Sequence, residues 1–218
     1  MSQQNATFIV QFWEVIFRFL SKLSVFFVVR KVVNRFLSKH QQHIFVEGWA
    51  LGHLFLSILA IPGVLYIPYA WVGWAISLYG LVRVFEVVVY QVNVLLFDQF
   101  RQPNRSQPYE VLSYRRLIIL LIQNYFEIIF WFAAQYVFFG QLFSFLVEGT
   151  ADSVLGAVYT SFVVMTSFGV ENISPSGVLA YTIVIAQAMI GLFMTLLSLA
   201  RFIGLLPAPG TMTKEEQS

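Results

Sequence analysis

The chain contains no cysteine. Disulfides, thiolate catalysis and Cys-based metal sites are therefore excluded. Charge is also scarce. Asp, Glu, Lys and Arg make up 11% of the 218 residues, against about 25% in a typical soluble domain. Apolar side chains take their place: 58% of the chain is hydrophobic, 17% is aromatic, and the mean hydropathy is +0.74. A soluble domain of this size keeps too large a surface in water to hide that many apolar groups. The net charge of +2 gives no reason to expect a nucleic-acid partner. Residues 1–7 hold no basic group, so the start does not read as a cleavable signal peptide. Also missing are a nucleophile elbow, a paired-His helix motif and a phosphate-binding glycine loop. The chain is expected not to be an enzyme and to carry no resident cofactor.

The apolar residues gather in four long runs. A spanning helix needs about 20 of them, and 44–67, 69–97, 117–139 and 178–206 reach that length. Ile67-Pro68-Tyr69 is the tight turn between the first two. Pro62 is expected to kink the first helix, because proline cannot donate to the helical ladder. Gly73 and Gly80 in the second helix either allow close contact with a neighbour or are simply tolerated there. Segment 8–37 is different. It is rich in Phe and Val, but Glu14, Arg18, Lys22, Arg30, Lys31 and Arg35 interrupt it, and its longest uncharged run, 23–29, cannot cross a bilayer. A cationic amphipathic helix lying in the interface, held to anionic lipid, is the expectation.

Basic residues set the orientation. They cluster before the first run, in the loop 98–116 (Arg101, Arg105, Arg115, Arg116), and at Arg201 and Lys214. None lies at the Pro68 turn or between residues 140 and 177. Four spans put all the basic groups on one side. The chain is thus expected to be a multi-pass protein of the cell membrane with both termini cytoplasmic. Glu148, Asp152 and Glu171 would then face outside. The organisation expected is an interfacial helix in 1–43, a peripheral helix pair in 44–97, a cytoplasmic linker in 98–116, a pore domain in 117–206 and a disordered tail in 207–218.

The segment 152–175 carries the functional signal. Residues 152–165 are mostly apolar but too few to span. Thr166-Ser167-Phe168-Gly169-Val170-Glu171-Asn172 follows, and Pro175 and Gly177 precede a full-length apolar helix. A short helix, irregular backbone and a return to the same face describe a re-entrant loop. Such backbone is tolerated at membrane depth only where protein buries it or it lines a wet cavity. The plain alternative is an ordinary connection between two helices.

The run from Tyr159 to Pro175 resembles the pore of potassium channels of the two-helix pore-domain family. That family reads aromatic-x-Ser-Phe-x-Thr-x-Thr-Thr-Val-Gly-Tyr-Gly-Asp-Ile-x-Pro. Tyr159, Ser161, Phe162, Thr166, Gly169, Ile173 and Pro175 match it without a gap. The last helix, Ala186-Gln187-Ala188-Met189-Ile190-Gly191-Leu192-Phe193, resembles the family's inner helix. The resemblance covers residues 117–206. Together with the four apolar runs, it implies an all-α membrane protein with four transmembrane helices, a re-entrant pore helix and filter loop, and a homotetrameric pore. It also implies an ion-conduction filter at Thr166, Ser167, Phe168, Gly169, Val170 and Glu171, with Gly191 as gating hinge. Permeant K⁺ or Na⁺ would occupy the filter. The chemistry departs from the family where Val170 replaces the bracing aromatic and Glu171 replaces the upper glycine. A ring of four Glu171 carboxylates would attract cations, and K⁺ selectivity is not implied.

Arg83 and Glu86 lie one turn apart in the second run, and Glu127 lies in the third. Charges inside a membrane are functional candidates by default. A lone Arg is not a voltage sensor, so a structural ion pair extending to Glu127 is the expected arrangement. His40, His43 and His53 show no metal-ligand pattern. The function expected is passive conduction of monovalent cations. The alternative is a non-conducting regulatory subunit, or a membrane effector acting through the N-terminal amphipathic helix.

Overall fold

The computed structural model describes residues 8–22, 29, 35, 39–93, 111–145, 149–150, 152–168 and 173–205. Six helices and one small sheet account for most of them: α1 Phe8–Lys22, α2 Lys39–Tyr66, α3 Ala70–Val92, α4 Val111–Phe138, β1 Phe143–Phe145, α5 Val154–Thr166, β2 Ile173–Pro175 and α6 Gly177–Leu205. Four stretches are long and apolar enough to cross a membrane: Ile44–Tyr66, Ala70–Val92, Ile118–Phe138 and Gly177–Ala200. At 1.5 Å per residue a 23-residue stretch is about 34 Å long, enough for the hydrocarbon core. The chain is a multi-pass, all-α membrane protein.

The helix ends follow local chemistry. Ile67 to Tyr69 form the turn between α2 and α3, with Tyr69 extended at the N-cap and its carbonyl accepting from the Val72 N–H at 2.9 Å. Helix α2 continues through Pro62 as one element. Helix α4 begins at Val111, inside the segment expected to be linker, while its apolar stretch begins only at Ile118. The first two turns, with Arg115 and Arg116, thus extend the helix past its membrane-compatible part.

Helix α4 is the hub. It packs against α2, α3, α5 and α6. Within its spanning stretch 61% is buried, against 28% in those of α2 and α6. Most residues of those two stretches are therefore left uncovered by the rest of the described chain. Ile128, Ile129, Trp131, Phe132, Ala133, Ala134 and Tyr136 form the centre of the core. Lipid tails are as apolar as the helices, so close packing and polar links hold such a bundle together. Both occur between α3 and α4. A Cβ on Gly73 would stand 2.2 Å from the Phe138 ring, and one on Gly80 would stand 2.8 Å from Trp131. The Gln135 amide donates to the Ser77 carbonyl at 2.9 Å.

Helix α1 packs on α3. The Asn93 amide, just past the end of α3, donates to the Phe17 carbonyl at 3.3 Å. Phe8, Ile9, Phe12, Trp13, Val15 and Phe19 of α1 stay exposed, whereas Glu14 pairs with Arg18 one turn away.

Candidate functional site

The short helix α5 has 13 residues, about 20 Å at the helical rise, and cannot span. Its start is built by Ser153, which is extended and accepts the Gly156 N–H on its hydroxyl at 3.0 Å. That bond satisfies one of the free donors of the first turn. Its end is built by Ser167, which takes a left-handed conformation at φ 59°. The Phe168 N–H then reaches back to the Val163 carbonyl at 3.2 Å and the Ser167 N–H to the Val164 carbonyl at 3.3 Å. This is a Schellman closure made without glycine.

A two-stranded antiparallel sheet joins the segments that flank α5. Phe143 pairs with Pro175, Ser144 with Ser174 and Phe145 with Ile173. The Ser176 N–H adds a bond to the Leu142 carbonyl at 2.8 Å. The chain leaving α4 and the chain entering α6 are thereby fastened side by side.

Side chains from three helices fix α5 in the bundle. The Gln187 amide of α6 donates to the Ser161 carbonyl at 2.8 Å and to the Ser161 hydroxyl at 2.7 Å. Its carbonyl accepts from the Tyr136 hydroxyl of α4 at 2.7 Å. Ser161 passes its own proton to the Ile129 carbonyl at 2.6 Å. Tyr136, Ser161 and Gln187 are completely buried. One turn further along α6, Gly191 meets the end of α5. A Cβ there would stand 2.1 Å from the Met165 carbonyl oxygen.

Among the expected filter residues, Thr166 closes α5 and bonds the Phe162 carbonyl at 2.8 Å. Ser167 caps the helix, and Phe168 stands 85% exposed. Gly169, Val170 and Glu171 lie outside the described residues. The intramembrane charges do come together. Arg83 Nε donates to Glu127 Oε1 at 2.7 Å, and its Nη2 to Glu127 Oε2 at 3.3 Å. Its Nη1 meets Glu86 at 3.3 Å. The Trp131 indole N–H adds a bond to Glu127 at 3.3 Å. The forked contact goes across to α4, so the pairing with Glu86 on the same helix is the lesser one. His53 is buried, with its ring nitrogens 2.7 Å from the Trp49 carbonyl and 2.6 Å from the Tyr79 hydroxyl. Among the described residues no cluster of three or more His, Cys, Asp or Glu could hold a metal ion.

Sequence reasoning passed over Gln187, Tyr136 and the strand pairing. A signal for the first was present: Gln187 is an amide in the middle of an apolar span, and such a group must find partners. No protein-family model matches the chain, and neither a curated protein nor a solved structure matches it.

Proposed function

We propose that this chain is one subunit of a tetrameric, passive cation pore. In this reading α4 is the outer helix, α5 the pore helix, α6 the inner helix and residues 166–171 the filter. The supporting observation is the pairing of β1 with β2 around a helix too short to span. It brings Ile173 beside Phe145, before α5 begins. The chain has five residue steps between Phe168 and Ile173, a reach of about 17 Å. That is comparable to the length of α5, so the chain can descend along α5 and return to the same end. The C-terminal end of α5 carries about half a negative charge from its aligned peptide dipoles, which favours a cation beside Thr166. One such segment cannot enclose a pore, whereas closed cyclic symmetry can. The exposed apolar side of α6, with Tyr181, Ile185, Met189, Leu192 and Leu196, would then face neighbouring subunits and lipid.

Recording from purified protein in planar bilayers tests this reading. A cation current is expected, and it should change on Glu171→Gln and on Gly169→Ala. Reversal potentials in mixed K⁺ and Na⁺ then read the selectivity. No current, or a monomeric mass in lipid, refutes the pore. The exposed aromatic row of α1 favours a second reading, a non-conducting subunit or effector bound to anionic lipid. Silent bilayers together with lipid binding lost on Phe12→Ser would select it.

A further inference from the structure

We infer that Gln187 is the positioning residue that ties the short helix to the last span, so that movement of α6 is passed to the mouth formed at Thr166–Phe168. This rests on the pore reading for its functional meaning, but its geometric part stands alone. The orientation of the Gln187 amide is forced. A backbone carbonyl only accepts, so the nitrogen must face Ser161 and the oxygen must face Tyr136. Every proton in the network then has an acceptor: Tyr136 gives to Gln187, Gln187 gives twice to Ser161, and Ser161 gives to Ile129.

The contacts also keep register. Gln187 grips Ser161 and Gly191 abuts Met165, so a step of four residues on α6 matches a step of four on α5. Two successive turns of one helix therefore engage two successive turns of the other. A slip of α6 by one residue would move Gln187 about 1.5 Å and turn it about 100°, which breaks both bonds to Ser161. An apolar residue of the same size would pack as well without specifying that register. The directional bonds bring α5 along with α6, and α5 ends at Thr166.

The test uses the full chain in liposomes, with hydrogen exchange and bilayer recording on the same samples. Gln187→Met keeps the volume and removes the bonds. Amides 161–166 should then exchange about tenfold faster, with those of α3 unchanged, and the open fraction should change by a similar factor. Tyr136→Phe removes only the outer link and should alter exchange at 161–166 by less than about threefold. Wild-type exchange at 161–166 in Gln187→Met overturns the positioning role, as does a uniform rise across all spans. Faster local exchange with an unchanged open fraction overturns the coupling. Silence of the wild type refutes the pore and leaves the positioning role to be decided by exchange.

Discussion

Removing Arg83 should be the most damaging single change in the membrane part of the chain. Its guanidinium forks onto both oxygens of Glu127, at 2.7 and 3.3 Å, and touches Glu86 at 3.3 Å. Arg83 and Glu86 are 6% exposed and Glu127 is 0% exposed. Breaking a buried pair from one side leaves the partner charge without water, at a cost of about 3–5 kcal/mol. Arg83→Ala leaves two carboxylates in that state. Arg83→Lys supplies a point charge but no fork, and should lose about half as much. The two carboxylates are not equivalent. Formally the three side chains sum to −1, so Glu86→Gln brings the cluster to zero while the fork survives. Its effect should lie within about 1 kcal/mol of wild type. Glu127→Gln breaks the fork and weakens the acceptor of the Trp131 indole, and should cost about 2–4 kcal/mol. Reversible unfolding in mixed micelles gives the order. Arg83→Ala within about 1 kcal/mol of wild type, or Glu86→Gln as costly as Glu127→Gln, would refute the reasoning.

Two further changes probe the short helix. Gly191→Ala puts a methyl group 2.1 Å from the Met165 carbonyl and should cost about 1–3 kcal/mol of stability in the same unfolding assay; full tolerance would refute the need for that close approach. Ser167→Gly relieves the left-handed backbone at φ 59° and should stabilise the end of α5 by about 1 kcal/mol, seen as slower exchange of the Ser167 and Phe168 amides.

The spans were legible because lipid imposes a length and a composition that any run of apolar residues reveals. The turn at Pro68 was legible because proline fixes its own backbone. The Arg83–Glu86 spacing was legible because a helix places residues three apart on one face. The extension to Glu127, 44 residues away, was expected because a charge inside a span needs a partner, but that Glu127 and not Glu86 takes the forked contact emerged only from the packing. The early start of α4 was hidden because polar and basic residues in its first turns mimic a linker. The strands are three residues each, too short to show alternation, and only their pairing defines them. Ser161 and Gln187 stood in plain view, but each explains the other only once α5 and α6 are packed.

The two halves of the bundle are fastened to α4 by different chemistry on different faces. At about 100° per residue, Glu127, Trp131 and Gln135 form one stripe, four residues apart, and they take Arg83 and Ser77 of α3. Tyr125, Ile129, Phe132 and Tyr136 form a stripe on the opposite side. Ile129 and Tyr136 on it bond Ser161 and Gln187. The first seam contains the buried Arg83–Glu127 pair, and the second joins uncharged groups. An ion pair in lipid is costly to separate and sets which helix lies beside which. A neutral network can be broken and remade at the cost of about one hydrogen bond each. Motion within the bundle is therefore expected at the α5–α6 side, with α3 and α4 moving as one piece. Helix α4 holds both seams, and the neutral one, at about one hydrogen bond per link, is the one expected to shift.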